Sequence, residues 1–282
     1  MNNKTGLVLE GGGFRGLYTA GILHHFHKNG LEFPYIVAVS MGASNATNYL
    51  AKQTKRNLEV PYTFVNDKRY MSYARLFTKG ELFGMDFIFG DVPNKLIPFD
   101  FNAFASSRQK LIYVTTDCQL GKPYYISNSN HEESFKALEA STSLPFASKM
   151  VHLNGRLLLD GGISDPIPVE KAFSDGCEKV VVVLTQPKGY LKSPIQSKRL
   201  IKLMYHKYPK LVDIILNRHI VYNQQLEMIE RLEEEGKAFV FRPDTKLPVN
   251  RTEKKKEKLK EAFNIGYQQS DDMLRSLLDF ID

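Results

Sequence analysis

The 282-residue sequence has only two cysteines, no tryptophan and no long uninterrupted apolar run. Cys118 and Cys177 form neither a disulfide framework nor a metal-ligand pattern, which predicts reduced core thiols in a cytoplasmic protein. The first apolar run is interrupted by Glu10, unlike a secretory signal peptide, and no run approaches the ~18 apolar residues of a membrane span. We therefore expect a cytoplasmic protein that is soluble or peripheral at a membrane.

Acidic residues are fewer than basic ones: the sequence has 38 Lys and Arg residues and 31 Asp and Glu residues, which gives a net charge of +7. Basic and apolar residues alternate over 198–210, and a second basic cluster follows from Arg251. A basic amphipathic helix is typical of contact with an anionic membrane, although a solvated helix face has the same pattern. No nucleic-acid-binding motif accompanies the charge, so we expect no nucleic acid partner.

The first motif is a glycine-rich turn between a strand and a helix. Thr5 to Glu10 reads as a short apolar strand, which runs into Gly11-Gly12-Gly13-Phe14-Arg15-Gly16 and then into a helical pattern. Such a turn points backbone N–H groups at an anion, either a dinucleotide pyrophosphate or the oxyanion of an acyl intermediate. A dinucleotide fold should end its second strand near a carboxylate. Here the second strand, 35–39, ends on Ser40.

The second motif places Ser40 on a sharp strand-to-helix turn, in the order Ala38-Val39-Ser40-Met41-Gly42. This is the pattern of a nucleophile elbow, with Ala38 standing where GxSxG has its first glycine. An ordinary turn is the alternative interpretation of these five residues.

The third motif is Asp160-Gly161-Gly162, which follows the strand-like segment 156–159. Asp-Gly is a frequent turn pair, but a carboxylate delivered by a strand could also take the proton of a serine. A carboxylate with a pKa near its reference value of about 4 is a weak base for a hydroxyl, so we expect burial to raise its basicity.

In this order and spacing, the three motifs resemble the bacterial type of the patatin-like phospholipase family. The similarity covers residues 5 to 186 and includes the segment Ala140-Ser141-Thr142-Ser143-Leu144-Pro145-Phe146. The resemblance implies an α/β fold, a three-layer α/β/α sandwich with a mainly parallel central sheet. It also implies hydrolysis of lipid esters through an acyl-enzyme, without a cofactor or a metal. The implied site has Ser40 as nucleophile, Asp160 as general base and Gly11, Gly12 and Gly13 as oxyanion hole, supported by Arg15, Gly16, Gly42, Gly161 and Gly162.

Two other functions stay open at this point. A Ser-His-Asp triad esterase for small esters would need His206 or His219 as its base, because these are the histidines downstream of Asp160. A non-catalytic relative could keep the fold for binding or regulation, and Ala38 would fit that case. His24, His25 and His27 cluster on one predicted helix, but no acidic or cysteine partner at useful spacing makes them a metal site.

The alternation of patterns predicts one chain-long α/β unit, with a core at 5–186 and a basic helical extension at 187–282 packed on it. Seven phenylalanines lie in loops and short helices of 72–104, a segment that could cap an acyl pocket or pack as core. Strands are predicted at 6–10, 35–39, 111–116, 123–127, 150–159, 178–184 and 237–242, and helices at 15–29, 41–55, 131–140, 168–175, 197–206, 210–235 and 252–279.

Overall fold

Buried apolar strands build one central sheet in the computed structural model, which describes residues 4–282. Within that range the strands are β1 (Thr5–Leu9), β2 (Tyr35–Val39), β3 (Lys110–Asp117), β4 (Lys122–Ser127), β5 (Val151–Leu153), β6 (Arg156–Asp160), β7 (Lys179–Val183) and β8 (Ala238–Phe241). Their order across the sheet is β5-β6-β3-β2-β1-β7-β8, and β4 pairs with β3 in addition. The β3-β2-β1-β7-β8 part is parallel, whereas β4, β5 and β6 are joined by antiparallel pairing.

Helices cover both faces of this sheet, because successive strand residues point to opposite sides. Leu7 and Leu9 of β1 belong to one apolar cluster, and Val8 between them belongs to another on the opposite face. The helices of the described chain are α1 (Gly16–Lys28), α2 (Met41–Leu50), α3 (Arg56–Phe64), α4 (Tyr73–Lys79), α5 (Phe101–Ala105), α6 (His131–Thr142), α7 (Val169–Ser174), α8 (Lys198–Met204), α9 (Pro209–Glu234), α10 (Lys256–Asp272) and α11 (Leu274–Ile281). The expected three-layer α/β/α architecture is therefore confirmed.

Two predicted elements are divided in the structure, and a third ends early. The predicted helix 252–279 is two helices, α10 and α11, because Met273 between them leaves the helical conformation with φ −96° and ψ 1°. The predicted strand 150–159 is a hairpin of β5 and β6, because Asn154 and Gly155 have φ values of 49° and 70° and form the turn. The predicted helix 41–55 ends at Leu50, since Lys52 takes a φ of 59°, and α3 follows after a short loop.

The C-terminal residues join the same sheet and the same helix layer. Strand β8, which lies within the predicted strand 237–242, extends the sheet beside β7 in parallel. Helix α10 packs closely on α1 because glycines face backbone on both sides. A Cβ at Gly21 would lie 2.0 Å from the Phe263 carbonyl oxygen, and one at Gly266 would lie 1.9 Å from that of Tyr18.

The phenylalanine-rich segment forms the short helices α4 and α5 and, between them, a π-helical stretch at Phe87–Leu96. Phe87, Phe99 and Phe104 are buried in the core, whereas the side chain of Phe77 is 87% exposed. None of the helices within residues 4–282 is both long enough and apolar enough to cross a bilayer.

Candidate active site

Ser40 lies at the turn between β2 and α2 with φ 55° and ψ −124°, a conformation that non-glycine residues adopt only under constraint. The turn is tight because α2 begins against the end of β1. A Cβ at Gly42 would stand 2.7 Å from the Glu10 carbonyl oxygen and 2.9 Å from that of Leu9. The predicted elbow is therefore formed, and Gly42 is the residue that allows the close approach.

Strand register brings Ser40 and Asp160 to one point of the sheet. Val39 pairs with Val114 of β3, and Asp160 pairs with Thr115, the next residue along that strand. Because β4 occupies the other edge of β3, strands β2 and β6 share one edge. They run in opposite directions, so their carboxyl ends meet there.

Asp160 is buried, at 3% exposed, and its backbone is fixed on both sides. Its N–H donates to the Ser143 carbonyl at 2.8 Å, and its own carbonyl accepts the Thr116 hydroxyl at 2.8 Å. The carboxylate oxygen Oδ1 accepts the Gly162 N–H at 2.7 Å. The other oxygen, Oδ2, is buried and has no hydrogen-bond partner in the described chain.

Burial raises the pKa of Asp160 above its usual range, which is the effect expected for a stronger base. The Ser40 hydroxyl, the Gly162 N–H and the charges of Arg218 and Arg251 oppose that shift. Ser40 is thus close enough to affect the carboxyl, although the two side chains do not form a hydrogen bond of ordinary geometry.

The glycine loop lies against Ser40. A Cβ at Gly11 would come within 2.9 Å of the Ser40 Cβ, and Gly13 takes a positive φ of 58°. The N–H groups of Gly11, Gly12 and Gly13 make no hydrogen bond within residues 4–282, whereas the next N–H, that of Phe14, donates to the Arg251 carbonyl at 3.3 Å. Three backbone donors therefore remain available beside the serine.

The other glycines of the motifs are required for close packing. An added Cβ would lie 2.5 Å from Met41 Cγ at Gly16, 2.2 Å from the Val114 carbonyl oxygen at Gly161 and 3.0 Å from Asp160 Oδ1 at Gly162. Arg15 is partly buried at the start of α1, and its Nε atom has no hydrogen-bond partner within residues 4–282.

Helix α6 contributes contacts that the sequence reasoning did not assign. The Ser40 N–H donates to Ser141 Oγ at 2.9 Å, and that hydroxyl donates to the Val114 carbonyl at 2.7 Å. Ser143 holds the Asp160 backbone, as described above. In the sequence, this segment is distinguished by its family resemblance, and its serines are the signal that indicates this bracing role.

Neither downstream histidine is bonded to Ser40 or Asp160. His206 is exposed and its Nδ1 bonds to the Leu203 carbonyl. His219 lines the cavity beside Ser40, but its Nδ1 bonds to the Leu216 carbonyl at 3.1 Å rather than to a carboxylate. On α1, His24 bonds to Thr54, and His25 bonds to Ser270 and Asp271.

Ser40 lines two cavities of different character, which also share Gly13, Leu144 and Arg251. One has a volume of about 120 Å³ and is mainly apolar, with Phe83, Phe89 and Phe99 among its lining residues. The other, of about 440 Å³, contains Asp160, the glycine loop and several basic side chains. A bound ester could therefore extend from the serine in two directions.

This combination of a strand-to-helix serine, a buried carboxylate and a donor-lined loop on an α/β/α sandwich defines a class of acyl hydrolase. The sequence model described as Patatin-like phospholipase matches residues 7–173, which is more than half of the chain. The chain belongs to the patatin-like phospholipase family, whose members hydrolyse lipid esters. A second model, a domain of unknown function named DUF6363, matches residues 208–282.

Individual proteins are also similar to this chain. The uncharacterized protein YjjU of Escherichia coli is 27% identical over 245 residues, covering 84% of this chain and 67% of YjjU. The lysophospholipase NTE1 of Candida albicans is 27% identical over 194 residues, which are 64% of this chain and only 13% of NTE1. The crystal structure of VipD from Legionella pneumophila has the same fold, with a TM-score of 0.51 and 12% identity over 97% of this chain and 67% of that one.

Proposed function

We propose that the protein hydrolyses fatty-acyl esters of phospholipids or lysophospholipids by a Ser40–Asp160 dyad. Asp160 takes the hydroxyl proton as Ser40 Oγ attacks the ester carbonyl carbon, and the N–H groups of Gly11, Gly12 and Gly13 stabilise the oxyanion. Collapse of the intermediate breaks the ester C–O bond, and the departing alkoxide receives the proton. Water, deprotonated by Asp160, then attacks the acyl carbonyl carbon. The bond from that carbon to Ser40 Oγ breaks, the fatty acid is released, and Asp160 returns the proton to Ser40 Oγ.

The observation that carries this proposal is the unpartnered Oδ2 of Asp160 in the cavity that also holds Ser40. A buried carboxylate oxygen normally has a hydrogen-bond donor, because leaving it without one is unfavourable. Rotation of the Ser40 hydroxyl toward Oδ2 would supply that donor and would be the first movement of the proton transfer.

The apolar cavity is the proposed acyl site. Its lining combines Phe83, Phe89 and Phe99 from the phenylalanine-rich segment with Val60 of α3 and Leu138 of α6. Such a wall accepts a hydrocarbon chain without unpaired polar groups. In this proposal the segment 72–104 caps the site with some phenylalanines and packs the core with others.

A peripheral membrane contact is proposed for the segment 191–204, which includes α8. Leu191, Leu200, Leu203 and Met204 are 50 to 72% exposed, and Lys198, Arg199 and Lys202 lie among them. Exposed apolar side chains with neighbouring cations suit an anionic bilayer surface. Lys192 and Ile195 of this stretch line the larger cavity, so lipid at the surface would be near the site. In this proposal the core, residues 5–186, supplies the reacting groups, and the C-terminal extension, residues 187–282, supplies the membrane-binding surface.

The test is hydrolysis of 4-nitrophenyl butyrate and of a lysophospholipid by four variants. Ser40→Ala and Asp160→Asn should each lower kcat/KM by about 1,000-fold or more, because the nucleophile or its base is lost. His219→Gln and His206→Gln should stay within about threefold of the wild type.

A folded His219→Gln variant that is as inactive as Ser40→Ala would establish the triad instead. A wild-type protein that neither hydrolyses the esters nor is labelled at Ser40 by a fluorophosphonate would establish the non-catalytic relative.

A further inference from the structure

The larger cavity beside Ser40 carries an unusual excess of cations. Its basic residues are Arg15, Lys192, Arg218 and Arg251, and its acidic residues are Glu10 and Asp160. Three of the four cations come from the C-terminal segment 187–282, where the three motifs gave no indication of a site.

The two carboxylates are engaged elsewhere. Glu10 accepts hydrogen bonds from the Thr185 N–H at 2.6 Å, from the Thr185 hydroxyl at 3.0 Å and from the Tyr222 hydroxyl at 2.8 Å. Asp160 accepts the Gly162 N–H and faces Ser40. Glu10 is therefore held by three hydrogen bonds, Asp160 keeps only the buried Oδ2 without a partner, and within residues 4–282 neither carboxylate forms a salt bridge with the surrounding cations.

Within residues 4–282, none of the four cations forms a salt bridge, although other partly buried arginines do, as Arg75 does with Glu81. Arg218 donates from Nε to the Gly162 carbonyl, and the ammonium of Lys192 lies 5.2 Å from the centre of the Tyr222 ring. Arg15 leaves Nε without a partner. The guanidinium groups thus have donors to spare, and guanidinium donors match phosphate oxygens.

Burial and the neighbouring positive charges lower the pKa values of two of these cations. Burial and the charges of Arg218, Arg251 and Arg15 lower the pKa of Lys192 to about 7. Burial and Arg251 likewise lower the pKa of Arg218. An anion placed among these groups would relieve their repulsion, so the cavity is suited to negative charge.

We propose that this cavity binds the phosphate of an anionic lipid headgroup and makes anionic phospholipids or lysophospholipids the preferred substrates. The inference rests on the proposed function, since the headgroup is assigned to the cavity on one side of Ser40 and the acyl chain to the apolar cavity on the other. A zwitterionic head such as phosphocholine fits less well, because four cations line the cavity against two carboxylates, and one approach to the Tyr222 ring is taken by Lys192.

The experiment compares dihexanoyl phosphatidylglycerol with dihexanoyl phosphatidylcholine, both kept monomeric so that no membrane surface contributes. The wild type should prefer the glycerol lipid by about tenfold or more in kcat/KM, because both lipids carry the same phosphate diester and only the choline lipid adds a positive charge that the cationic cavity repels. Lys192→Gln and Arg251→Gln should each reduce that preference to about threefold or less. Arg231→Gln removes an exposed charge on α9, the helix of Arg218, and should leave the preference unchanged.

Two results would overturn the inference while leaving the proposed function intact. One is hydrolysis of the nitrophenyl ester with a lipid preference below twofold. The other is tight binding of inorganic phosphate to Ser40→Ala by calorimetry without any lipid preference, which would indicate a site for free phosphate. A wild-type protein that does not hydrolyse the nitrophenyl ester would instead contradict the proposed function. Calorimetry with glycerophosphoglycerol would then still test whether the cavity binds an anionic headgroup.

Discussion

The backbone N–H of Ser40 donates to Ser141 Oγ at 2.9 Å, so a side chain on α6 holds the strained residue at the elbow. Without that acceptor, the buried N–H would be unpaired, which typically costs about 1–3 kcal/mol of stability.

Ser141→Ala should therefore lower kcat for 4-nitrophenyl butyrate by about 10- to 100-fold with little change in KM, because Ser40 loses its position rather than its substrate. Ser134→Ala is the matched control, since Ser134 is also buried on α6 but bonds to the Ser129 N–H. A kcat loss that is equal in both variants would mean that Ser141 acts only through stability.

Gly11 allows the oxyanion loop to lie against the nucleophile. In Gly11→Ala, the new methyl would stand 2.9 Å from Ser40 Cβ and must displace the loop or the serine. We expect a loss of about 100-fold or more in kcat/KM, comparable to the loss of an oxyanion donor. Gly90→Ala is the control because an added Cβ there meets open space. Near-normal activity of a folded Gly11→Ala protein would contradict this view of the loop.

Much of this arrangement could be predicted from local patterns. Strands β1 and β7 are runs of buried apolar residues, so their positions could be predicted from the sequence. Ser40 directly follows strand β2 and Asp160 is the last residue of strand β6, so both side chains could be selected as candidates as well. The hairpin of β5 and β6 was missed, although Asn154-Gly155 is a strong turn signal that could have revealed it.

The cations of the larger cavity could not be found in this way. Lys192, Arg218 and Arg251 are far from the motifs in sequence, and their charge patterns are also those of solvated helices and loops. Their meeting depends on how residues 187–282 fold against the glycine loop, for example through the bond from the Phe14 N–H to the Arg251 carbonyl. That is tertiary information, which helical periodicity does not contain.

The buried charge of Asp160 should make the active enzyme less stable than its amide variant. Because burial raises the folded-state pKa of Asp160 above its unfolded value, the folded protein binds more protons in the interval between them. This contribution to stability therefore declines as pH rises through the raised pKa. Asp160→Asn keeps Oδ1 for the Gly162 N–H and removes the charge.

We expect the inactive Asp160→Asn protein to be more stable than the wild type by about 0.5–2 kcal/mol at pH 8, in keeping with other functional sites. The difference should shrink toward pH 4.5, as followed by thermal denaturation. A variant that is less stable than the wild type at pH 8 would show that attraction from Arg218 and Arg251 exceeds the burial penalty.

The small apolar cavity should limit acyl-chain length. Val60→Phe adds bulk to its wall and should reduce kcat/KM for 4-nitrophenyl octanoate by about tenfold, while 4-nitrophenyl acetate is hydrolysed almost normally. Phe77→Ala, which alters an exposed phenylalanine outside the cavity lining, should leave both rates unchanged. Equal losses for the two esters in Val60→Phe would place the acyl chain elsewhere.

Binding of an anionic headgroup should depend on pH through Lys192. Burial and the charges of Arg218, Arg251 and Arg15 lower the pKa of Lys192 to about 7, and the charge of Glu10 opposes them. Above that pKa the free protein has a neutral Lys192, so binding of a phosphate diester must either proceed with one cation fewer or take up a proton.

The affinity of Ser40→Ala for glycerophosphoglycerol should therefore fall between pH 6 and pH 8.5, by up to about tenfold per pH unit above the pKa of Lys192. The diester itself does not titrate in this range, and Lys192→Gln in the Ser40→Ala background should abolish the pH dependence that Lys192 contributes. If calorimetry gives the same slope with and without the Lys192 ammonium, then another group governs the pH dependence of binding.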